Sequence, residues 1–379
     1  MTAQLSARKT DSGKAASAKA RLSRADVDAL QAELDAVRNG VMKSLGASDL
    51  AHIRKMIRRA RGSAIAGRAM IGLGIDPVSF VVGVAALAHA KIVENMEIGH
   101  NVMHGQYDWT NDPTLNSLRY EWDNVCDAGM WRHFHNYEHH TYTNILGKDR
   151  DLGYTILRMT DEQKWHPFFF FQPIWNGILA LAFEWGVGGH DVQADRFVKG
   201  EMSWKELKDR SRPFHQKIRK QLVKDYVLFP LLTFWNAPRV LLGNLLANLI
   251  RNLWSYAIIF CGHFPEGTAV FGEEETRNET RGDWYLRQLG GSANIEGSRA
   301  FHILSGHLSH QIEHHLFPDM PAHRYAEIAP QVRAICEKYG IAYNTAGFAR
   351  QYGSVLAKVF RHALPSRRKA VTVTAHSAG

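Results

Sequence analysis

Cysteine is scarce in this chain. Cys126, Cys261 and Cys336 lie far apart and form no CxxC pair, which excludes a disulfide framework and fits a reducing compartment. The cysteine set for an iron–sulfur cluster, a His-Pro-Gly-Gly haem-binding stretch and a Gly-rich dinucleotide fingerprint are all missing, so the chain carries no such redox module of its own. His166-Pro167 is followed by Phe168 and does not qualify. A soluble carboxylate di-iron site needs two Glu-x-x-His pairs, and beside the histidine clusters only Glu97 and His100 fit. Residues 1–22 have no apolar core to serve as a cleavable signal and read as a disordered arm. There is no internal repeat of fixed period.

What the chain does have is basic charge, apolar stretches and histidine. Forty-six Lys+Arg against 37 Asp+Glu give +9 over 379 residues. Arg54, Lys55, Arg58, Arg59 and Arg61 stand directly before an apolar stretch, with no nucleic-acid motif nearby, which points to a membrane surface and a cytoplasmic flank. Arg367, Arg368 and Lys369 form a second basic group in a tail over 346–379. The mean hydropathy of −0.28 is diluted by 20 His and by long polar loops.

Ser23 suits a helix cap, and Val27, Leu30, Leu34, Val37 and Val41 fall on one face of an amphipathic helical region within 23–61. Asp76-Pro77 divides 62–98 into a short arm, 62–75, and a longer one, 77–98, read as a hairpin. Residues 226–264 are long enough for two helices broken near Asn236-Ala237-Pro238. If all three histidine clusters share the cytoplasmic face, parity makes 166–185 interfacial rather than a fifth crossing. The expected fold is all-α: a multi-pass membrane helical protein with about four transmembrane helices and a cytoplasmic helical cap.

The clusters are HNVMH (His100, His104), HNYEHH (His135, His139, His140) and HQIEHH (His310, His314, His315). Each holds two histidines four residues apart, on one face of an ordinary helix. A lone histidine is usually surface or satisfied core, but packing offers no reason to gather eight rings in three short stretches. Neutral imidazole suits iron, copper and zinc, and the number of rings suits more than one ion.

The pattern HNVMH, HNYEHHTYTN and QIEHHLFP resembles the membrane fatty acid desaturases, in the branch whose third box begins with Gln. The resemblance covers about 62–345, the expected membrane and catalytic domain. It implies two non-haem irons that use dioxygen and two electrons to place a double bond in an acyl-CoA or acyl-lipid chain; zinc has no redox chemistry to do this. It also implies His100, His104, His135, His139, His140, His314 and His315 as ligands, with His263, in IFCGHF, at a comparable ligand place. Gln311 sits where other branches have histidine; its amide oxygen, or alternatively His307 or His310, completes the set. Ile259 stands where some relatives hold a metal-bound water with Asn. His133, His302 and His323 are expected as supporting or surface groups, and His89 as a packing or polar-contact residue. Glu138 and Glu313 are candidates to orient ligand N–H groups, while Asp149, Arg150 and Asp151 read as a charged loop. Electrons must come from an external ferredoxin, flavoprotein reductase or cytochrome. The competing readings are a membrane di-iron hydroxylase and, from another class, a metal-binding or metal-transporting membrane protein, which would need ligands along a path within the spans.

Overall fold

The computed structural model describes residues 22–366. The expected arm as far as residue 21, and the basic group Arg367, Arg368 and Lys369, lie outside them. Helix α1 (Arg24–Lys43) begins at Ser23, whose hydroxyl accepts from the Asp26 N–H while the Asp26 carboxylate accepts from the Ser23 N–H. Its stripe Val27, Leu30, Leu34 and Val41 is buried against α9 (Arg281–Gly291) and α11 (Tyr325–Lys338), named here because they form its bed. Helix α1 ends at Ser44, close to the expected end near Leu45, and α2 (Ala47–Leu73) starts after Gly46.

Helix α2 runs unbroken from the basic segment through the short apolar arm, then turns at Asp76-Pro77 into α3 (Pro77–Met103). Asp76 caps α3 by accepting from the Ser79 N–H at 2.9 Å, and Pro77 opens its first turn. The two arms meet through glycine. A Cβ on Gly67 would stand 2.7 Å from the Leu87 nitrogen and 2.8 Å from the Gly83 oxygen, so their backbones touch where side chains would hold them apart.

Helix α4 (128–142) carries the second histidine cluster, and α5 (Gln172–Leu181) and α6 (Phe183–Val192) follow. Segment 166–185, expected as interfacial, is a 3₁₀ turn and two short helices with Phe168, Phe170, Phe171, Ile174, Ile178 and Leu181 exposed. Helix α7 (204–232) ends before Asn236, and α8 (Ala237–His263) begins with Pro238 in its first turn, the break expected from Asn236-Ala237-Pro238. By length and composition, two helical segments among the described residues are apolar enough to cross a membrane: Pro77–Met103 and Phe234–His263.

The third cluster lies on α10 (Gln311–Leu316). Two short parallel strands, β1 (Asn294–Glu296) and β2 (Thr345–Gly347), pair Asn294 with Thr345 and Glu296 with Gly347. The start of the expected tail is therefore structured: α12 (Phe348–His362) buries Val355 and Val359, which its amphipathic spacing directs into the core beside Tyr256 and Phe260.

Gly67→Ala forces α2 and α3 apart and costs about 1–3 kcal/mol. The expected outcome is a lower midpoint of thermal unfolding for the detergent-purified protein, while Gly62→Ala, an exposed helical position whose Cβ meets nothing within 4 Å, leaves it the same or slightly higher.

Candidate metal centre

Four helices converge on one interior point. His100 and His104 come from the end of α3, His135, His139 and His140 from α4, His314 and His315 from α10, and His263 closes α8. In α3 and α4 the histidine-bearing turns are not ordinary α-helix. Val93–His100 and Arg132–His139 are wound as π-helix, with one extra residue per turn, a widening that recurs at functional sites. The four-residue spacing survives in sequence, but the turn that presents it is broader than an α-helical reading assumes.

The rings form two groups. In one, the ligand atoms of His100, His104, His135 and His314 lie within 4.8 Å of one another; in the other, those of His139, His263 and His315 do. His140 stands between them, its ring centroid 4.8 Å from His104 and from His314 and 4.5 Å from His315. The adjacent pair His314 and His315 is thus divided between the groups, as a pair serving two ions requires.

Hydrogen bonding shows which nitrogen several rings leave free, while His140 has no partner on either nitrogen among the described residues. Asp149 holds His139 Nδ1 at 3.1 Å, Gln288 Oε1 holds His315 Nδ1 at 2.9 Å, and Asn101 Oδ1 holds His100 Nδ1 at 3.0 Å. The Nε2 atoms of His100, His104, His135, His139, His140, His314 and His315 are buried with no partner among the described residues, as is Oε1 of Gln311. A buried polar atom without a partner is costly, and so many facing one another fit a metal centre. His263 points Nε2 at the Gln311 amide nitrogen, 3.0 Å away, and leaves Nδ1 unpartnered. That pair joins the Gln311 corner to the second group.

The two alternatives to Gln311 go elsewhere. His307 Nδ1 donates to the Glu97 carboxylate at 2.9 Å, and Glu97 also holds His52 at 2.7 Å, so this ring ties the segment before α10 to α3 while His52 ties α2 to the same carboxylate. His310 packs on His302, 4.6 Å between centroids, away from both groups. The expected orienting roles of Glu138 and Glu313 also need correction. Glu138 pairs with His133 at 3.4 Å, and Glu313 accepts from Tyr343 and Asn294. Each precedes a His-His pair in sequence, but helical rotation of about 100° per residue turns it off that face. Their work falls to Asp149 and Gln288, which the sequence offers no nearby signal to find: Asp149 looked like part of a charged loop, and Gln288 lies 27 residues from its histidine. His89 contacts Ser63 at 3.1 Å, His302 bonds Ser309, and His323 bonds Asp49, all outside the cage.

Burial, reinforced by neighbouring imidazoles, pushes His104, His140, His314 and His315 well below the ordinary histidine range. Burial also opposes charge on His139, yet Asp149 outweighs it and raises that ring. Neutral rings keep their lone pairs for a cation.

Beside the cage lies a cavity lined near the histidines by Met96, Trp131, Phe134, Ile259 and Phe264. Residues 76–347 match the fatty acid desaturase family profile. The chain belongs to that family. It is 44% identical over 352 residues, 92% of its length and 82% of the relative's, to the NADPH-dependent stearoyl-CoA 9-desaturase of Mycobacterium tuberculosis. It is 29% identical over 285 residues to the sn-1 linoleoyl-lipid 6-desaturase of Synechocystis, covering 71% of this chain and 77% of that one. To human fatty acid desaturase 3 it is 28% identical over 236 residues, 58% of this chain and 47% of the other. This desaturase is an oxidoreductase of lipid metabolism, and the family match places its three histidine clusters inside or beside the matched region.

Two outcomes are expected. Below about 6.5, the unfolded chain binds protons on histidines that the folded cage keeps neutral, so stability falls as pH drops; the four depressed rings outweigh His139, which acts in the opposite sense. Unfolding midpoints of the metal-free protein between pH 7.5 and 5 check this. Asp149→Asn leaves the fold intact and weakens metal retention roughly 10–100-fold, read by metal analysis after dialysis against a chelator.

Proposed function

We propose that this desaturase inserts a double bond into a long saturated acyl chain, using dioxygen and two electrons at two irons held by His100, His104, His135, His139, His140, His263, His314 and His315, with Gln311 at the weak corner. The observation that carries this reading is the pair of imidazole groups with inward, unpartnered Nε2 atoms beside an apolar cavity. Bound iron supplies the one-electron and dioxygen chemistry that an unactivated methylene requires. The chain's own groups set the geometry: Asp149, Gln288 and Asn101 fix the rings, and the aromatic walls exclude water from the reacting carbons. The 44% identity to a stearoyl-CoA 9-desaturase supports an acyl thioester substrate and oxidation at the ninth carbon. The electron donor is external, and that relative's NADPH dependence favours a flavoprotein reductase.

In this reading four spans, the apolar ends of α2 (62–73) and α7 (226–232) with α3 and α8, leave the cage facing the cytoplasm. The basic residues Arg54, Lys55, Arg58, Arg59 and Arg61 at the start of α2 support that orientation, and each hairpin returns the chain to the side it left. Only α3 and α8 have the composition of simple spans; α2 and α7 cross by packing against them.

Expression with a reductase in a host of known lipid composition, followed by mapping of new double bonds, tests the reading. Alkenes at the ninth carbon are expected, and hydroxylated chains without alkenes overturn it in favour of a hydroxylase. His139→Ala is expected to abolish product and lower bound iron, measured on the same membranes.

A further inference from the structure

The cavity is not apolar throughout. Ser255, Ile259 and His263 line it at successive turns of α8, and one turn beyond Ser255 come Arg251 and Asn252. Across from them Glu184 of α6 pairs with Arg251. Arg251 is 2% exposed, Asn252 4%, and Glu184 and Ser255 8% each. Arg251 Nε reaches Asn252 Oδ1 at 3.3 Å, and Asn252 donates to the Leu181 carbonyl at 2.9 Å. The Ser255 hydroxyl has no partner among the described residues. Ionisable groups this deep in a spanning helix are costly and call for a role.

Behind this wall is a second cavity, lined by Leu181, Trp185, Leu222, Leu245 and Leu249 together with the polar Gln221, Asp225 and Asn248, and Glu184 and Asn252 belong to the lining of both. The polar quartet therefore divides two spaces that an alkyl chain could otherwise fill as one.

We propose that Glu184, Arg251, Asn252 and Ser255 form a polar stop that sets how far the acyl chain extends beyond the metal centre. The proposal rests on the acyl-chain reading above. A terminal methyl gains apolar burial along Ile259 and Phe264 but none against a paired guanidinium and carboxylate. Going further means breaking a buried pair and stranding its charges, which is more costly than the burial gained. The length follows from α8. Eight residues separate Ser255 from His263, about 12 Å along the helix. Extended single bonds of about 1.5 Å advance roughly 1.25 Å per carbon, so the stop admits about nine carbons past the cage.

The test compares wild type, Glu184→Leu/Arg251→Leu and Ser255→Phe, each full length and co-expressed with a reductase, in a host fed saturated acyl chains of graded length. Replacing both charges together avoids an unpaired one and opens the wall toward the second cavity. The double variant is expected to move the preferred chain upward by roughly two to four carbons, about one helical turn of added depth, and Ser255→Phe to move it downward by a similar amount. In both, the double bond stays at the wild-type carbon counted from the carbonyl. Unchanged length profiles in active variants overturn the proposal. So does a double bond that migrates while length preference holds, because that result puts the carbonyl end at the wall. Should the double variant fail to accumulate, Ser255→Phe, which leaves the charges in place, decides alone. A wild type that forms no alkene fails the functional reading instead.

Discussion

The arrangement of this molecule depends on the burial of imidazole nitrogens that have no partner among the described residues. Seven Nε2 atoms face inward without partners, in a space where each would be destabilising alone. Such a cluster is tolerable only when most of its rings are held neutral and several are aimed, and the surroundings do both. Burial and neighbouring rings keep protons off His104, His140, His314 and His315, and Asp149, Gln288 and Asn101 occupy the outward nitrogens. The π-wound turns belong to the same requirement, because they open α3 and α4 enough for rings from different helices to interleave.

The rest of the fold holds those helices in place against a membrane. Close backbone contact at Gly67 and Gly83 locks α2 to α3, and polar side chains anchor α8 and α7 to that pair. Lys91 of α3 bonds Asp225 of α7 at 2.8 Å, and Arg68 of α2 bonds the same carboxylate at 3.1 Å. Glu97, on the turn before His100, takes His52 from α2 and His307 from the segment leading to α10. Polar groups that would be liabilities singly become cross-links when each is paired, and here they connect α3, which supplies His100 and His104, to α2, α7 and the segment before α10.

Much of the site was readable in one dimension. The three clusters, their order and the separate His263 are local patterns, and the ligand residues expected from them do come together. The Ser23 cap, the Asp76-Pro77 turn and the break before Pro238 are also local, since each depends on a side chain or a missing N–H within a few residues. Glu138 and Glu313 misled because adjacency in sequence is not adjacency on a helix. Asp149 and Gln288 were hidden because their partners come from elements brought together by tertiary packing, and α12 was hidden because its amphipathic spacing was read as part of a charged tail.

The sequence by itself therefore determined the family and the candidate ligands: three imidazole-rich clusters set among apolar stretches. Only the tertiary structure decided how the rings divide into two groups, which nitrogen several of them leave free, and that Gln311 pairs with His263 while His307 and His310 turn away. The reason is physical. Residue type and short spacing specify what a side chain can bind, but the direction in which a buried ring points is set by the partner that takes its other nitrogen, and those partners arrive from distant parts of the chain.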